Sequence, residues 1–187
     1  MLVIDWAQFL ESGLPLGEKL SSMTVGVFDG VHRGHQALIE RVVSHNSHDH
    51  VPVVITFRQN HKTEERKSGI QTFRQKTEAL ESLGIKITIA IDFTESFRRM
   101  AGIEFLEILI KHGNIGFFAV GNDFRCGYQL DTDASAIQSF FASRQIPVEI
   151  VPEVMEDGLP ISSSRIRSAI TAGDLSLAEK MLGRPLS

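Results

Sequence analysis

Gly26-Val-Phe-Asp-Gly-Val-His32-Arg-Gly-His35-Gln36 decides how the chain is read. It overlaps an apolar run, Met23 to Phe28, whose composition predicts a buried strand. It leads into Ala37-Leu-Ile-Glu-Arg-Val-Val43, whose spacing predicts a helix with one apolar face. The stretch is therefore a strand–loop–helix junction. Gly30 and Gly34 allow a close approach of backbone or ligand where a Cβ would clash. A helix start presents free N–H groups and partial positive charge, which suits a phosphate. His32 and His35, three residues apart at that start, can both face one anion site. Such junctions ordinarily just build an α/β domain, and a lone histidine there is structural. Two histidines framed by glycines beside an aspartate point to chemistry.

Outward from this junction, strand and helix signals alternate. Residues before Met23 read as a short strand and an amphipathic turn. Val51–Phe57, Lys86–Ile91, Ile115–Val120 and Pro147–Val151 read as further strands. Helices are predicted over Gln71–Leu83, over Phe93–His112 with a break near Gly102, over Asp133–Arg144 with Asp133 or Thr132 as cap, and over Arg165–Ala172. A last helix, Leu175–Leu182, is capped by Asp174 and closed by Gly183. Gly121–Thr132 is a loop, and Asp157-Gly158 is a turn. Ser44-His-Asn-Ser-His-Asp-His50 reads as a polar helix end, not a metal site, at the far end of the first helix from His35. This pattern predicts an α/β domain: a Rossmann-like, doubly wound, five-stranded parallel sheet in the order 3-2-1-4-5. In that order the two-histidine junction and Gly121-Asn-Asp-Phe-Arg-Cys-Gly127 face each other at the carboxyl ends of neighbouring strands, where ligands bind.

The 187 residues suit a single domain with a real core, and an apolar share of 42% is that of a globular protein. No apolar run approaches a membrane span, and the N-terminus lacks a basic secretory region. One cysteine, Cys126, excludes an internal disulfide and fits a reducing cytoplasm. A net charge of −4 argues against general nucleic-acid binding, yet allows a phosphate site whose basic groups converge locally. The expectation is a cytoplasmic protein, monomeric or weakly oligomeric, with neither nucleic acid nor membrane as partner.

The opening stretch resembles the His-x-Gly-His signature of the nucleotidyltransferase superfamily. In its longer form it is similar to the adenylyltransferase module of bacterial bifunctional riboflavin kinase/FAD synthetases. Ile161-Ser-Ser-Ser164-Arg-Ile-Arg167 resembles that family's Ile-Ser-Ser-Thr-x-Ile-Arg, with Ser164 in the threonine place. Gly121 to Gly127 resembles its Gly-x-Asp/Asn-Phe-x-Phe-Gly, with Cys126 in the second aromatic place and read as packing. Ala172-Gly-Asp-Leu and Leu182-Gly-Arg-Pro resemble its closing segment.

The resemblance implies a nucleotidyltransferase-type fold and an ATP:FMN adenylyltransferase that makes FAD and pyrophosphate, with Mg²⁺ on the triphosphate. It implies an ATP site of Gly26, Phe28, Asp29, Gly30, Gly34, Ser163, Ser164 and Arg167. The flavin side is implied at Thr56, Phe57, Asn60, His61, Asp123, Phe124 and Arg125. His32, His35, Asp123 and Arg167 are the catalytic candidates, and Asp123 is the candidate metal carboxylate. The chemistry fits these residue types: the transition state gathers charge on phosphate oxygens and needs held donors and cations.

Three departures stand out. Thr56-Phe-Arg-Gln-Asn-His61 replaces the family's Thr-Phe-x-Pro-His-Pro. Tyr128-Gln-Leu-Asp-Thr-Asp133 replaces a Gly-rich basic loop. The chain ends where a riboflavin kinase domain would begin, so the implied enzyme is a single-domain, monofunctional one or the sequence is a shortened piece. The alternatives are a nucleotidyltransferase with another phosphorylated acceptor, and a nucleotide- or flavin-binding module with little catalysis.

Overall fold

The computed structural model describes residues 1–45, 49–58 and 69–186. Its centre is a six-stranded sheet. The strands are β1 (Leu2–Asp5), β2 (Leu20–Val25), β3 (His50–Phe57), β4 (Ile87–Ile91), β5 (Ile115–Gly121) and, later in the chain, β8 (Val148–Val151). They lie in the order β1-β4-β3-β2-β5-β8. Every pairing is parallel, with Met23 flanked by Val53 on one side and Phe118 on the other.

The five strands of the sequence reading thus keep their 3-2-1-4-5 order. The correction is a sixth strand. Leu2–Asp5 pairs with β4 and forms the edge beyond it.

Alternate residues of the central strands serve opposite faces, as the pleat requires. On one face Val53, Ile55, Phe118 and Val120 pack with helix α1 (Trp6–Ser12), through Phe9, and with α5 (Gly102–Gly113), through Leu106 and Leu109. Helix α6 (Ala134–Ala142) joins them through Ile137 and Phe141. On the other face Val54, Phe117 and Ala119 pack with α2 (Arg33–Ser44) and α3 (Phe73–Ser82), through Leu38, Ile39, Val42 and Leu80. Burial on both faces explains why these strands read as unbroken apolar runs. A separate apolar cluster joins α7 (Ser163–Thr171) to α8 (Leu175–Leu182) through Ile166, Ala169, Ala178 and Met181.

The helix expected over Phe93–His112 is two: α4 (Glu95–Arg98), capped by Thr94, and α5. The break serves packing. The Gly121–Thr132 loop contains a short antiparallel ribbon, β6 (Arg125–Cys126) with β7 (Thr132–Asp133), and a 3₁₀ turn at Tyr128–Leu130. A Cβ on Gly102 would lie 2.1 Å from Thr132 Oγ1 and 2.4 Å from its Cβ, so glycine lets α5 begin against the ribbon. Asp133 caps α6 and accepts from the Ala136 N–H. Asp157 and Gly158 both take positive φ in a two-residue turn joining β9 (Met155–Glu156) to β10 (Leu159–Pro160). Helix α7 starts at Ser163, two residues earlier than its periodicity indicated, because Ser162 caps it and accepts from the Arg165 N–H.

Candidate active site

An open cleft of about 450 Å³ lies at the carboxyl ends of β2, β5 and β8. Three segments far apart in sequence line it. The β2–α2 loop contributes Gly26, Phe28, His32, Gly34 and His35. The end of β5 contributes Asn122, Asp123, Phe124 and Arg125. The start of α7 contributes Ser163, Ser164 and Arg167.

The two histidines are held by the start of α2. His32 is its N-cap, and its Nδ1 accepts from the His35 N–H at 3.3 Å. An accepting Nδ1 leaves the ring's proton on Nε2. The two rings stack, with centroids 3.6 Å apart and planes at 17°. Phe28 meets His35 edge-on at 5.0 Å. Phe28 and Val31 both have positive φ, so the loop carries backbone strain beside the histidines. Gly26 permits that shape, since a Cβ there would sit 3.0 Å from the Phe28 ring. Burial lowers the His32 pKa to about 4. His35 is held well below its ordinary value by burial, then by the charges of His32 and Lys76. Both rings are therefore neutral N–H donors in the free protein at neutral pH. The Nδ1 of His35 is buried without a hydrogen-bond partner among the described residues.

Arg167 comes from the first turns of α7. One guanidinium nitrogen donates to Asp29 Oδ2 at 2.6 Å, and another donates to Ser164 Oγ at 3.1 Å. Asp29, only 4% exposed, also accepts from the Ile70 N–H through Oδ1, and its backbone carbonyl accepts from Ser163 Oγ. Asp29 is therefore placed behind the cleft wall, where it aims Arg167. Among the residues expected at the ATP site, Asp29 thus stands outside the lining and bonds Arg167. Gly30 is likewise absent from the lining: it takes φ 84°, and a Cβ there would press on Ile70 and Leu182.

The residues expected on the flavin side divide. Asp123, Phe124 and Arg125 line the cleft. Thr56 and Phe57 do not. The Thr56 hydroxyl is buried and donates to the Val27 carbonyl, while the Phe57 ring packs on Phe93 and Phe97. Asn60 and His61 lie outside the described residues. Burial, then Asp131, pushes the Cys126 thiol up to about 12, so this cysteine is no nucleophile.

Residues 17–165 match the family model for FAD synthetase. The chain belongs to the FAD synthetase family. It is 29% identical over 171 residues to a bifunctional riboflavin kinase/FMN adenylyltransferase of Escherichia coli, covering 88% of this chain and 55% of that one. It is 32% identical over 168 residues to the protein of the same description from Pseudomonas fluorescens, covering 87% and 54%. The chain thus spans about half the length of these curated relatives. Among solved structures, a macrolide-efflux protein from Streptococcus pneumoniae superposes with a TM-score of 0.84 at 29% identity, over 100% of this chain and 61% of that one. A pantoate-beta-alanine ligase from Francisella tularensis superposes at 0.59 with 16% identity, over 98% and 78%, and shares the fold.

Sequence reasoning missed three groups around this cleft. Asn122 and Glu153 line the cleft at the ends of β5 and β8, where the strand-end rule pointed. Lys76, 5% exposed on α3, donates to the Val27 carbonyl at 2.7 Å and the Phe57 carbonyl at 3.0 Å. Its signal was a lysine sharing the apolar stripe of Leu80, one turn away.

Proposed function

We propose that this protein transfers AMP from ATP to FMN, giving FAD and pyrophosphate. A phosphate oxygen of FMN forms a bond to the α-phosphorus of ATP. The bond from that phosphorus to the β-phosphate's bridging oxygen breaks, and pyrophosphate leaves with the electron pair. The observation that carries the reading is the convergence of His32, His35, Ser163, Ser164 and Arg167 on one cleft that Asp123, Phe124 and Arg125 also line.

The roles follow from the groups present. The free amides at the starts of α2 and α7 and the hydroxyls of Ser163 and Ser164 bind phosphate oxygens. Arg167, fixed by Asp29, neutralises charge on the triphosphate without swinging away. His32 and His35 donate to the oxygens on which negative charge grows, and bound phosphates raise the proton affinity of both rings. Phe124 and Arg125 offer an aromatic face and a cation to the flavin end.

No group of three metal-ligating side chains occurs among the described residues. Mg²⁺ fits nonetheless, because it binds through one or two carboxylates together with substrate phosphates, and Asp123 is exposed in the cleft. Asp123 would hold Mg²⁺, which supplies charge neutralisation on the leaving pyrophosphate. No helix among the described residues is long and apolar enough to cross a membrane. The free thiol of Cys126 fits a reducing cytoplasm.

Incubation of the folded protein with FMN, ATP and MgCl₂, followed by separation of the flavins, tests the reading. FAD is the expected product. Absence of FAD overturns it, and turnover of a different phosphorylated acceptor in the same assay would install the alternative transferase, which the altered Arg58–His61 segment favours.

A further inference from the structure

Lys76 is the buried charge that the proposed reaction leaves unused. It projects from α3 to the point where the two central strands end. Its ammonium donates to the carbonyl of Val27, just after β2, to the carbonyl of Phe57, the last residue of β3, and to Thr56 Oγ1 at 3.3 Å. We propose that Lys76 is a positioning residue of the transferase site, tying the strand end that carries the two-histidine loop to the neighbouring end of β3. The inference rests on the adenylyl-transfer reading for its kinetic consequence alone.

The bonding supports more than filling. Val27 directly precedes Phe28, the ring that edges against His35. Two carbonyls at neighbouring strand ends need one donor that reaches both, and an ammonium has three N–H groups. An apolar side chain there would leave the Phe57 carbonyl without this donor and the Val27 carbonyl with Thr56 Oγ1 alone, among the described partners.

The charge matters as well as the bonds. Among the described residues, the titratable and charged groups about Lys76 are Asp29 on the β2–α2 loop, His35 at the start of α2 with His32 stacked on it, Arg167 of α7 beyond Asp29, and Arg58 after β3. Arg58 shares the Phe73 ring with Lys76, at 5.2 and 5.9 Å from its centre. Burial lowers the Lys76 pKa to about 8, against the opposing pull of Asp29. The ammonium in turn disfavours a proton on His35. Lys76 thus helps keep His35 neutral until phosphates arrive.

The test is read first in the free wild-type protein. Carbon NMR of the lysine ε-methylenes should show one lysine titrating near 8, assigned by its loss in Lys76→Met. The His35 ring signals should move through the same step. In Lys76→Met the His35 ring should take its proton at higher pH than in wild type. FMN turnover should fall about 10- to 100-fold, and the KM for ATP should change less than about threefold. The proposal is overturned if the signal that Lys76→Met removes does not titrate near 8 and His35 does not respond. It is equally overturned if folded Lys76→Met keeps the wild-type His35 titration and turnover. Should Lys76→Met fail to fold, the wild-type titration decides, with assignment by Lys76→Arg. A wild-type protein that made no FAD would end the FMN reading and leave the Lys76–His35 result standing or falling separately.

Discussion

Arg167 shows why residue type and placement must be argued together. Its planar fork reaches Asp29 through one nitrogen and Ser164 through another, a fixed spread that the single nitrogen of a lysine does not reproduce. Arg167→Lys keeps a charge beside the buried Asp29, so the fold should hold, with a melting temperature within a few degrees of wild type. Turnover should nevertheless fall at least about tenfold, because the phosphate grip loses its geometry. Full turnover in that variant would remove Arg167 from the site. The histidines yield a second expectation, in pH. His32 takes a proton near 6.5 in the unfolded chain and only near 4 when folded. The unfolded state therefore binds more protons between those values, and stability falls as pH drops through that window. The loss is at most about 3 kcal/mol from this ring, with His35 adding in the same direction. Urea unfolding at pH 7 and pH 4.5 measures it; equal midpoints would contradict the buried, neutral pair.

At the level of elements, Gly102 carries the sharpest expectation. Alanine would favour the helix, but its Cβ would meet both the hydroxyl and the Cβ of Thr132, so a side-chain rotation alone gives no relief. The start of α5 or the β6–β7 ribbon must shift, at a cost of roughly 1–3 kcal/mol. Arg125 sits on that ribbon and lines the cleft, so Gly102→Ala should also weaken flavin binding, readable by FMN titration. The sequence made β3 and β5 legible because both are largely apolar on both faces, and the strand order followed from the αβ alternation. It made Gly102 visible as a break but not its reason, which is contact with a ribbon 30 residues away in the chain. Leu2–Asp5 is four residues with only Ile4 buried, too short a pattern to name β4 as its partner. Asp29 was visible as a carboxylate between glycines. Its direction, toward Arg167 and Ile70, depends on a segment that arrives more than a hundred residues later.

Across the whole molecule, the cleft has walls from two apolar bodies. The sheet with α2 supplies one, and the α7–α8 pair, with its own small core, supplies the other. Polar bonds fasten them together: Arg167 to Asp29, Ser163 to the Asp29 carbonyl, Gln36 to the Leu182 carbonyl and Arg184 to the Gly30 carbonyl. Such a seam opens more readily than an apolar core, so a ligand that spans it should stabilise the molecule beyond its local contacts. ATP with Mg²⁺ at a hundred times its dissociation constant should add about 2.7 kcal/mol. That corresponds to a rise in melting temperature of roughly 5–10 °C for a chain of this length. The distribution of the effect is the stronger test. The N–H groups of Ser163 and Ser164 open α7 and lack partners within the helix, so they should exchange quickly in the free protein and slow when the triphosphate binds. Those at the start of α2 should slow in parallel. Protection confined to α2, with the α7 amides unchanged, would mean that the triphosphate is held from one wall only, and Arg167 and the two serines would lose the roles assigned to them.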